Sequence, residues 1–349
     1  MQHLIDFDQV TLAEWDMLLD RATAIRKDPA VYAESCRGKL VATLFYEPST
    51  RTQLSFQSAT LRLGAQVVGF SGTSGSSVTK GENLRDTIRT VSNYVDAIVM
   101  RNPMEGAALA ASLFSEVPVV NAGDGGHFHP TQTLTDLFTI SLEKGKLTGL
   151  TVGICGDLLN GRTVHSLLKA LIRFPGNRFI LISTKTLRIP DYIRNILTAA
   201  EADFTEVEAL EGVIAQLDLL YMTRIQRERF ESEEAYRRES GIYVLDSAKL
   251  ALAREDLLVL HPLPKVDEIT QEADEDPRCR YFEQARNGMY IRMALLYELL
   301  HHERVKQGFP KSRGEGRCTN PRCVSVQESS LPTLIEGGRC LYCDKEIKQ

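Results

Sequence analysis

Residues 48–53 combine the start of a helix with side chains that can bind an oxyanion. The apolar run 40–46 precedes them and an amphipathic pattern at 54–64 follows, which predicts a strand, a tight turn and a helix. The Ser-Thr-Arg-Thr segment 49–52 would stand at the positive end of that helix, where backbone N–H groups lack intrahelical acceptors. Such a site binds phosphate, and an arginine adds charge-assisted hydrogen bonds. The alternative interpretation is a helix cap beside a solvated arginine.

Polar or glycine-bearing segments also follow other predicted strands. Strands are predicted at 40–46, 66–70, 96–100, 117–120, 150–155, 178–182, 217–221 and 257–260, and most are separated by helical patterns. This alternation predicts parallel sheets with helices on both faces. The segments that follow the strands are 49–52, 101–103, 121–132, 156–162, 222–226 and 261–265. Because ligands bind beyond the carboxyl ends of parallel strands, we expect these segments to converge on one crevice.

The fold class predicted is α/β, with two doubly wound parallel-sheet domains and a small C-terminal zinc-binding module. The amphipathic helix near 131–140 ends at Gly145, before the next strand, and this places the boundary between the domains. The predicted limits are 1–140 for the first domain, 141–284 for the second, 305–317 for a linker and 318–349 for the zinc module. The helix 285–304 is expected to pack back on the first domain.

Four of the seven cysteines lie in the last 32 residues, at positions 318, 323, 340 and 343. Pairs separated by four and by two residues are typical of structural zinc sites, in which four thiolates complete a tetrahedron. Cys318, Cys323, Cys340 and Cys343 are therefore the predicted zinc ligands. Two disulfides are the alternative, which a reducing compartment disfavours.

Composition excludes several classes of protein. The chain has 349 residues and a formal net charge of −5, which argues against a nucleic-acid partner. No apolar run is long enough to cross a bilayer, so no membrane partner is expected. The first residues lack the basic and apolar regions of a signal peptide, and the expected location is the cytoplasm.

From about residue 5 to about residue 303 the chain resembles the catalytic chain of the aspartate carbamoyltransferase family. The segments that carry the resemblance are 45–52, 99–101, 129–132, 161–165, 221–226 and 261–264. The resemblance implies carbamoyl transfer from carbamoyl phosphate to L-aspartate, a step of de novo pyrimidine biosynthesis. The nucleophile is the substrate amine, so the chemistry needs no cofactor, and positioning and electrostatics would carry the catalysis.

The same resemblance implies the roles of individual residues. Phosphate would be held by Ser49, Thr50, Arg51, Thr52 and Arg101. The carbamoyl oxygen would be reached by Arg51, Thr52 and His129, and the carbamoyl nitrogen by Gln132. Aspartate would be bound by Arg162, Arg224, Gln226, Leu263 and Pro264. Lys265 is expected to have no direct role.

The Ser/Gly-rich loop 71–81 completes this set. Lys80 matches the lysine of the family that contacts both substrates, and Ser76 or Ser77 would bind phosphate. In the family this loop reaches into the active site of a neighbouring subunit. The resemblance therefore implies a trimer as the smallest functional unit. A mobile surface loop is the alternative that composition alone favours.

The cysteine tail resembles the zinc domain of the family's regulatory chain, without that chain's nucleotide-binding part. We expect the tail to dock on a catalytic chain and to help join trimers into a dimer of trimers. A separate regulatory subunit that binds this chain is the other partner that the sequence leaves open.

The sequence disfavours four other functions. An ornithine-type enzyme would carry a cysteine where Pro262 stands, and Arg224 suits an anionic substrate better than a cationic one. A catalytically silent scaffold is disfavoured by the complete set of site residues. A nucleic-acid-binding tail lacks an aromatic stacking platform. A nicotinamide dehydrogenase is disfavoured because the glycines at 153–161 do not have the G-x-G-x-x-G spacing.

Overall fold

A computed structural model describes residues 1–72, 77–302 and 311–347. The chain forms two compact units, one built from Met1–Thr131 and Gly288–Gln349 and the other from Gln132–Asn287. Within the described ranges, no helix is long and apolar enough to cross a membrane. The domain limits expected from the sequence stay a prediction, and the two units are described separately below.

The first unit contains a four-stranded parallel sheet in the order β2-β1-β3-β4. Its strands are β1 (Leu40–Phe45), β2 (Gln66–Ser71), β3 (Ala97–Asn102) and β4 (Val119–Asp124). Its helices are α1 (Leu12–Lys27), α2 (Thr50–Arg62), α3 (Leu84–Ser92) and α4 (Ala107–Ser112). The Thr11 hydroxyl and the Glu14 carboxylate form a capping box that starts α1.

The second unit contains a five-stranded parallel sheet in the order β7-β6-β5-β8-β9. Its strands are β5 (Thr151–Cys155), β6 (Arg178–Ile182), β7 (Asp203–Val207), β8 (Leu219–Met222) and β9 (Leu258–Leu260). The helices that follow in the chain are α5 (Pro130–Lys144), α6 (Arg162–Leu171), α7 (Asp191–Ala199), α8 (Glu233–Glu239), α9 (Ser247–Ala251) and α10 (Tyr281–Leu300). The two parallel sheets confirm the predicted fold class.

Strand β7 is not among the eight strands that the sequence predicts, and it brings the two parallel sheets to nine strands in the described residues. Its sequence, DFTEV, holds only two apolar residues, Phe204 and Val207. It is an edge strand that pairs with β6 alone, and its side chains are exposed or half-buried. A search for apolar runs cannot find such a strand, because pairing to a neighbour rather than burial defines it.

The C-terminal half of α10 packs against the first two helices of the first unit. Nη1 of Arg292 donates to the Ser55 hydroxyl on α2 at 3.0 Å. Nε of Arg21 on α1 pairs with Glu298 at 2.9 Å. These contacts join residues more than 230 positions apart, so the end of the long helix is part of the first unit.

Residues 311–347 form a small structure that we call the C-terminal module. It contains α11 (Val324–Gln327) and a hairpin of β10 (Ile335–Glu336) and β11 (Arg339–Cys340). Gly337 and Gly338 both have positive φ, as a two-residue hairpin turn of type I′ requires. The predicted linker overlaps the module, because the Arg313 N–H donates to the Thr333 carbonyl at 2.7 Å.

Candidate active site

The start of α2 lies directly after β1, as the sequence predicts. Ser49 is the N-cap residue, but its side chain makes no capping hydrogen bond. Thr50 and Arg51 are exposed and Thr52 is buried. The missing capping bond argues against a purely capping role for Ser49, whose hydroxyl lies beside the positive end of the helix. This arrangement suits an incoming anion.

Arg101 is held next to this helix start by Glu47. Arg101 is the penultimate residue of β3, which pairs with β1, and its register partner is Phe45. Its Nε lies 2.8 Å from Oε1 of Glu47, and the arginine side chain is only 13% exposed. The carboxylate therefore fixes one edge of the guanidinium and leaves the planar group oriented for bidentate contacts.

His129 lies between β4 and α5 and is buried. Its Nδ1 is 3.4 Å from the hydroxyl of Thr131. When that hydroxyl donates to Nδ1, the ring proton sits on Nε2, which then is a hydrogen-bond donor. In that tautomer the ring can donate a hydrogen bond to a carbonyl oxygen.

Asp124 shapes the loop that leads to His129. The buried carboxylate accepts hydrogen bonds from the Asn121 amide and the Phe128 backbone N–H, both at 3.0 Å. His127 lies 3.2 Å from the same carboxylate. Burial lowers the pKa of His127, but hydrogen bonds to Asp124 and Asp344 outweigh it and raise the pKa to about 10. The protonated His127 ring therefore forms hydrogen bonds to two carboxylates and holds the loop in place.

In the second unit, Arg162 and Arg224 follow neighbouring strands. Arg162 is the first residue of α6, after β5, and Arg224 and Gln226 follow β8. All three side chains are half-buried. The backbone N–H of Gln226 donates to Asp157, whose pKa is raised by burial. The two segments therefore meet at the carboxyl edge of this sheet, as expected for parallel neighbours.

The segment after β9 is shaped by a buried histidine. Nδ1 of His261 accepts from the Leu263 N–H at 2.8 Å, and Nε2 lies 2.7 Å from Oε1 of Glu268. Leu263 has a φ of 55°, and the Leu263–Pro264 peptide is cis. Leu263 is half-buried and Pro264 is exposed. The Glu268–His261 pair thus holds the backbone of a predicted substrate-binding residue.

Gln132, Lys80 and Lys265 are three further residues that the sequence analysis discusses. Nε2 of Gln132 donates to the buried Asp136 at 2.7 Å. Lys80 ends a short 3-10 turn, Ser77–Lys80, and is exposed. Lys265 pairs with Asp274 at 3.0 Å. Ser76 and the side chain of Ser77 lie outside the described residues, so the choice between them stays open.

The four module cysteines come together at one point. The Sγ atoms of Cys318 and Cys343 are 3.6 Å apart, those of Cys323 and Cys340 are 3.8 Å apart, and all four lie within 4.8 Å. A tetrahedral zinc site with 2.3 Å bonds needs Sγ separations of about 3.8 Å. A disulfide would need about 2.0 Å. The geometry fits a four-thiolate metal site and does not support the alternative of two disulfides.

Several orienting residues were not predicted from the sequence. They are Glu47, Asp124, Asp136 and Glu268, and each binds a predicted site residue or the loop that carries one. Asp136 could have been found, because it stands four residues after Gln132 on the same helix face. Glu268 and Asp124 gave no comparable signal, since loop geometry decides which side chain a carboxylate reaches.

Two parallel-sheet α/β units, with arginines at or beyond the carboxyl ends of several strands, have the architecture of a carbamoyltransferase. Residues 2–142 match the family model "Aspartate/ornithine carbamoyltransferase, carbamoyl-P binding domain". Residues 148–299 match the model "Aspartate/ornithine carbamoyltransferase, Asp/Orn binding domain". The chain belongs to this family, and neither model extends to the C-terminal module.

The individual relatives are named as aspartate enzymes of this family and not as ornithine enzymes. The chain is 58% identical over 300 residues to the aspartate carbamoyltransferase catalytic subunit of Clostridium perfringens, covering 86% of this chain and 98% of that one. It is 43% identical to the solved catalytic subunit of M. jannaschii aspartate transcarbamoylase, with a TM-score of 0.82 and coverage of 86% and 98%. Trypanosoma cruzi aspartate transcarbamoylase in complex with N-(phosphonacetyl)-L-aspartic acid is 36% identical, with a TM-score of 0.80 and coverage of 85% and 95%.

Proposed function

We propose that this chain catalyses the transfer of the carbamoyl group of carbamoyl phosphate to L-aspartate, giving N-carbamoyl-L-aspartate and phosphate. The observation that carries the proposal is the start of α2, where segment 49–52 stands beside an arginine that Glu47 holds in place. The family match and the aspartate-named relatives support the same reaction. The cytoplasmic location stays a prediction.

The reaction needs charge stabilisation rather than a nucleophilic side chain. The amine of aspartate attacks the carbamoyl carbon and a C–N bond forms. The bond from carbon to the phosphate oxygen breaks, and the amine proton passes to the departing phosphate. Ser49, Thr50, Arg51, Thr52 and Arg101 would bind the phosphate, with Lys80 and one of the two serines, Ser76 or Ser77. His129, Arg51 and Thr52 would stabilise the carbamoyl oxygen as it gains charge. One such donor is worth about 3–4 kcal/mol in a comparable oxyanion site.

Aspartate would be bound through its two carboxylates. Arg162 and Arg224 supply guanidinium groups, and Gln226 supplies an amide. The backbone carbonyl of Leu263 and the ring of Pro264 would shape the pocket for the amine. Because the matching family model covers both aspartate and ornithine enzymes, the choice of aspartate rests on Arg224, on Pro262 and on the names of the relatives.

A side-by-side carbamoylation assay tests this proposal. The wild-type chain is expected to turn over aspartate far faster than ornithine. Arg51→Ala should abolish most of this activity, whereas Arg62→Ala, which removes an exposed arginine from the last turn of α2, should retain it. Faster turnover of ornithine would overturn the substrate, and full activity of Arg51→Ala would overturn the phosphate site.

We further propose that the chain acts as a trimer, in which Lys80 serves a neighbouring subunit. Leu54 and Leu61 are 57% and 61% exposed on one face of α2, and Val68 is 43% exposed on the edge strand β2. An apolar face of this kind suits a subunit interface. A dimer of trimers and a separate regulatory subunit stay predictions.

Mixing two inactive variants tests the shared site. Lys80→Ala and Arg51→Ala chains are dissociated, mixed and reassociated. If Lys80 acts in a neighbouring subunit, some sites in the mixed trimers lack both changes, and activity returns. If each site uses the Lys80 of its own chain, every site contains a defect and the mixture stays inactive.

For the C-terminal module we propose a structural zinc ion held by Cys318, Cys323, Cys340 and Cys343. The Sγ separations support a tetrahedral thiolate site. A segment of this size has too small a core to fold alone, so metal binding would supply its folding free energy. No step of the carbamoyl transfer involves the metal.

A further inference from the structure

The C-terminal module packs on its own chain through the segment before α4. The Glu105 N–H donates to the carbonyl of Arg322 at 2.8 Å, and the Val324 N–H donates to the carbonyl of Glu105 at 2.9 Å. The buried Glu105 carboxylate accepts from the Asn320 amide at 2.6 Å and pairs with Arg322 at 3.0 Å. One residue therefore fixes both the backbone and the side chains around the first two cysteines.

This docking is close-packed. A Cβ on Gly106 would lie 2.3 Å from the carbonyl oxygen of Tyr342, so only a glycine allows the module to approach this closely. The rings and aliphatic groups of Tyr342 and Val324 share one apolar core with Ala107 and Ala108 of α4. A packed interface of this kind transmits displacement, because it contains little free space.

Two polar contacts extend from the module to segments that carry proposed substrate-binding residues. Oδ2 of Asp344 lies 3.3 Å from Nε2 of His127, two residues before His129. Oε1 of Glu328 accepts from the backbone N–H of Leu84 at 3.1 Å. Leu84 is the first residue of α3, four positions after Lys80, and its N–H has no acceptor within the helix.

We propose that the C-terminal module is an intramolecular brace that positions Lys80 and His129, with Glu328 and Asp344 as its positioning residues. The proposal rests on the carbamoyl transfer proposed above. Asp344 holds the loop 124–129 through His127, and Glu328 holds the start of α3. The two described contacts run to chain segments that carry Lys80 and His129, so the module acts by restricting where these two segments can lie.

The first test compares Glu328→Ala with Glu328→Gln. Alanine removes the acceptor for the Leu84 N–H, and kcat/KM for carbamoyl phosphate is expected to fall about fivefold, the equivalent of one hydrogen bond. Glutamine keeps an acceptor oxygen and should restore activity to within about twofold. Glu346→Ala is the matched control, because this carboxylate is exposed and pairs only loosely with Arg339, at 3.8 Å.

The outcomes separate a positioning role from a structural one. A fall in melting temperature of Glu328→Ala with unchanged kcat and KM would overturn the proposal, and so would a glutamine variant as impaired as the alanine variant. Metal content is measured for each variant. Equal metal content excludes loss of the module as the cause of an altered rate.

The second test does not depend on catalysis. Amide hydrogen exchange is measured for the full chain with metal, for the chelator-treated chain and for Asp344→Gly. Glycine suits this position because Asp344 has a positive φ of 59°. Exchange is expected to increase in 124–129 for Asp344→Gly, and in both 77–84 and 124–129 after chelation, with 40–45 unchanged. Unchanged exchange in these segments would overturn the brace, even if the wild-type chain is an active enzyme. An inactive wild type with the expected exchange would instead overturn the proposed function.

Discussion

The side-chain nitrogen Nε2 of Gln132 lies 2.7 Å from Oδ1 of Asp136, one turn further along α5. Asp136 is fully buried and also accepts from the Tyr221 hydroxyl at 2.9 Å and the Gln284 amide at 2.6 Å. A carboxylate only accepts hydrogen bonds, so Gln132 directs its NH2 group at Asp136 and keeps its carbonyl oxygen for another donor. The carbamoyl nitrogen is such a donor, and this orientation supports the role proposed for Gln132.

Asp136→Asn is expected to impair both activity and stability. Asparagine keeps one acceptor oxygen but turns an NH2 group towards donors that then lack a partner. We expect the free energy of unfolding to fall by about 2–3 kcal/mol and kcat/KM to fall at least about tenfold. Denaturant unfolding and steady-state kinetics measure the two effects. Asp20→Asn, on the exposed face of α1, is the control, and an Asp136→Asn enzyme of normal activity would contradict the proposed orientation of Gln132.

Arg224→Lys is expected to weaken aspartate binding although the charge is kept. Lysine cannot form the two parallel hydrogen bonds of a guanidinium with a carboxylate, and the loss should be about 2–3 kcal/mol, or roughly 30-fold to 150-fold in kcat/KM for aspartate. The KM for carbamoyl phosphate should change little. Arg188→Lys, at an exposed position of the same unit, controls for the substitution itself. Equal losses for both substrates would show that Arg224 does not act on aspartate alone.

Cys343→Ser is expected to abolish binding of the metal and to destabilise the first unit. The wild type should contain one zinc ion per chain by elemental analysis. At a free zinc concentration 100-fold above Kd, binding stabilises a folded site by about 2.7 kcal/mol, which the variant would lose. Cys279→Ser, outside the cluster, should keep both metal and melting temperature. Full stability of the wild type after complete chelation would contradict a structural role for the metal.

His165 is expected to make folding less stable in acid. Its Nε2 lies 2.8 Å from the Leu158 carbonyl and its Nδ1 2.7 Å from the Tyr192 hydroxyl, and burial lowers its pKa to about 4. The unfolded chain, with a pKa near 6.5, binds the proton more readily, so stability is full above pH 6.5 and falls as the pH drops towards 4. Over this pH range His165 lowers the free energy of unfolding by about 3 kcal/mol in total.

The variant His165→Gln isolates this contribution. Its free energy of unfolding, measured between pH 7 and pH 4, should decrease less steeply than that of the wild type. Other buried groups contribute to both proteins, including His3, whose pKa burial also lowers to about 4. The difference between the two curves therefore belongs to His165. Parallel curves would contradict the lowered pKa.

Much of the architecture follows from local sequence patterns. Buried strands such as β1 and β5 are rich in apolar residues, and the Thr11–Glu14 capping box marks the start of α1. The cysteine spacing predicts a cluster, and the four Sγ atoms do lie together. These predictions hold because each depends on residues within one or two turns of chain, where burial and capping leave a direct pattern. Strand β7 lacks such a pattern, because an edge position exposes its side chains.

The sequence by itself determined the residue types of the proposed site and their place after successive strands. The tertiary structure decided which carboxylate orients each of them: Glu47 for Arg101, Asp136 for Gln132 and Glu268 for His261. It also decided that the cysteine module docks on its own chain at Glu105, a residue without any motif. The reason is physical, because strand order and burial bring together residues up to 277 positions apart, and no local pattern encodes such a contact.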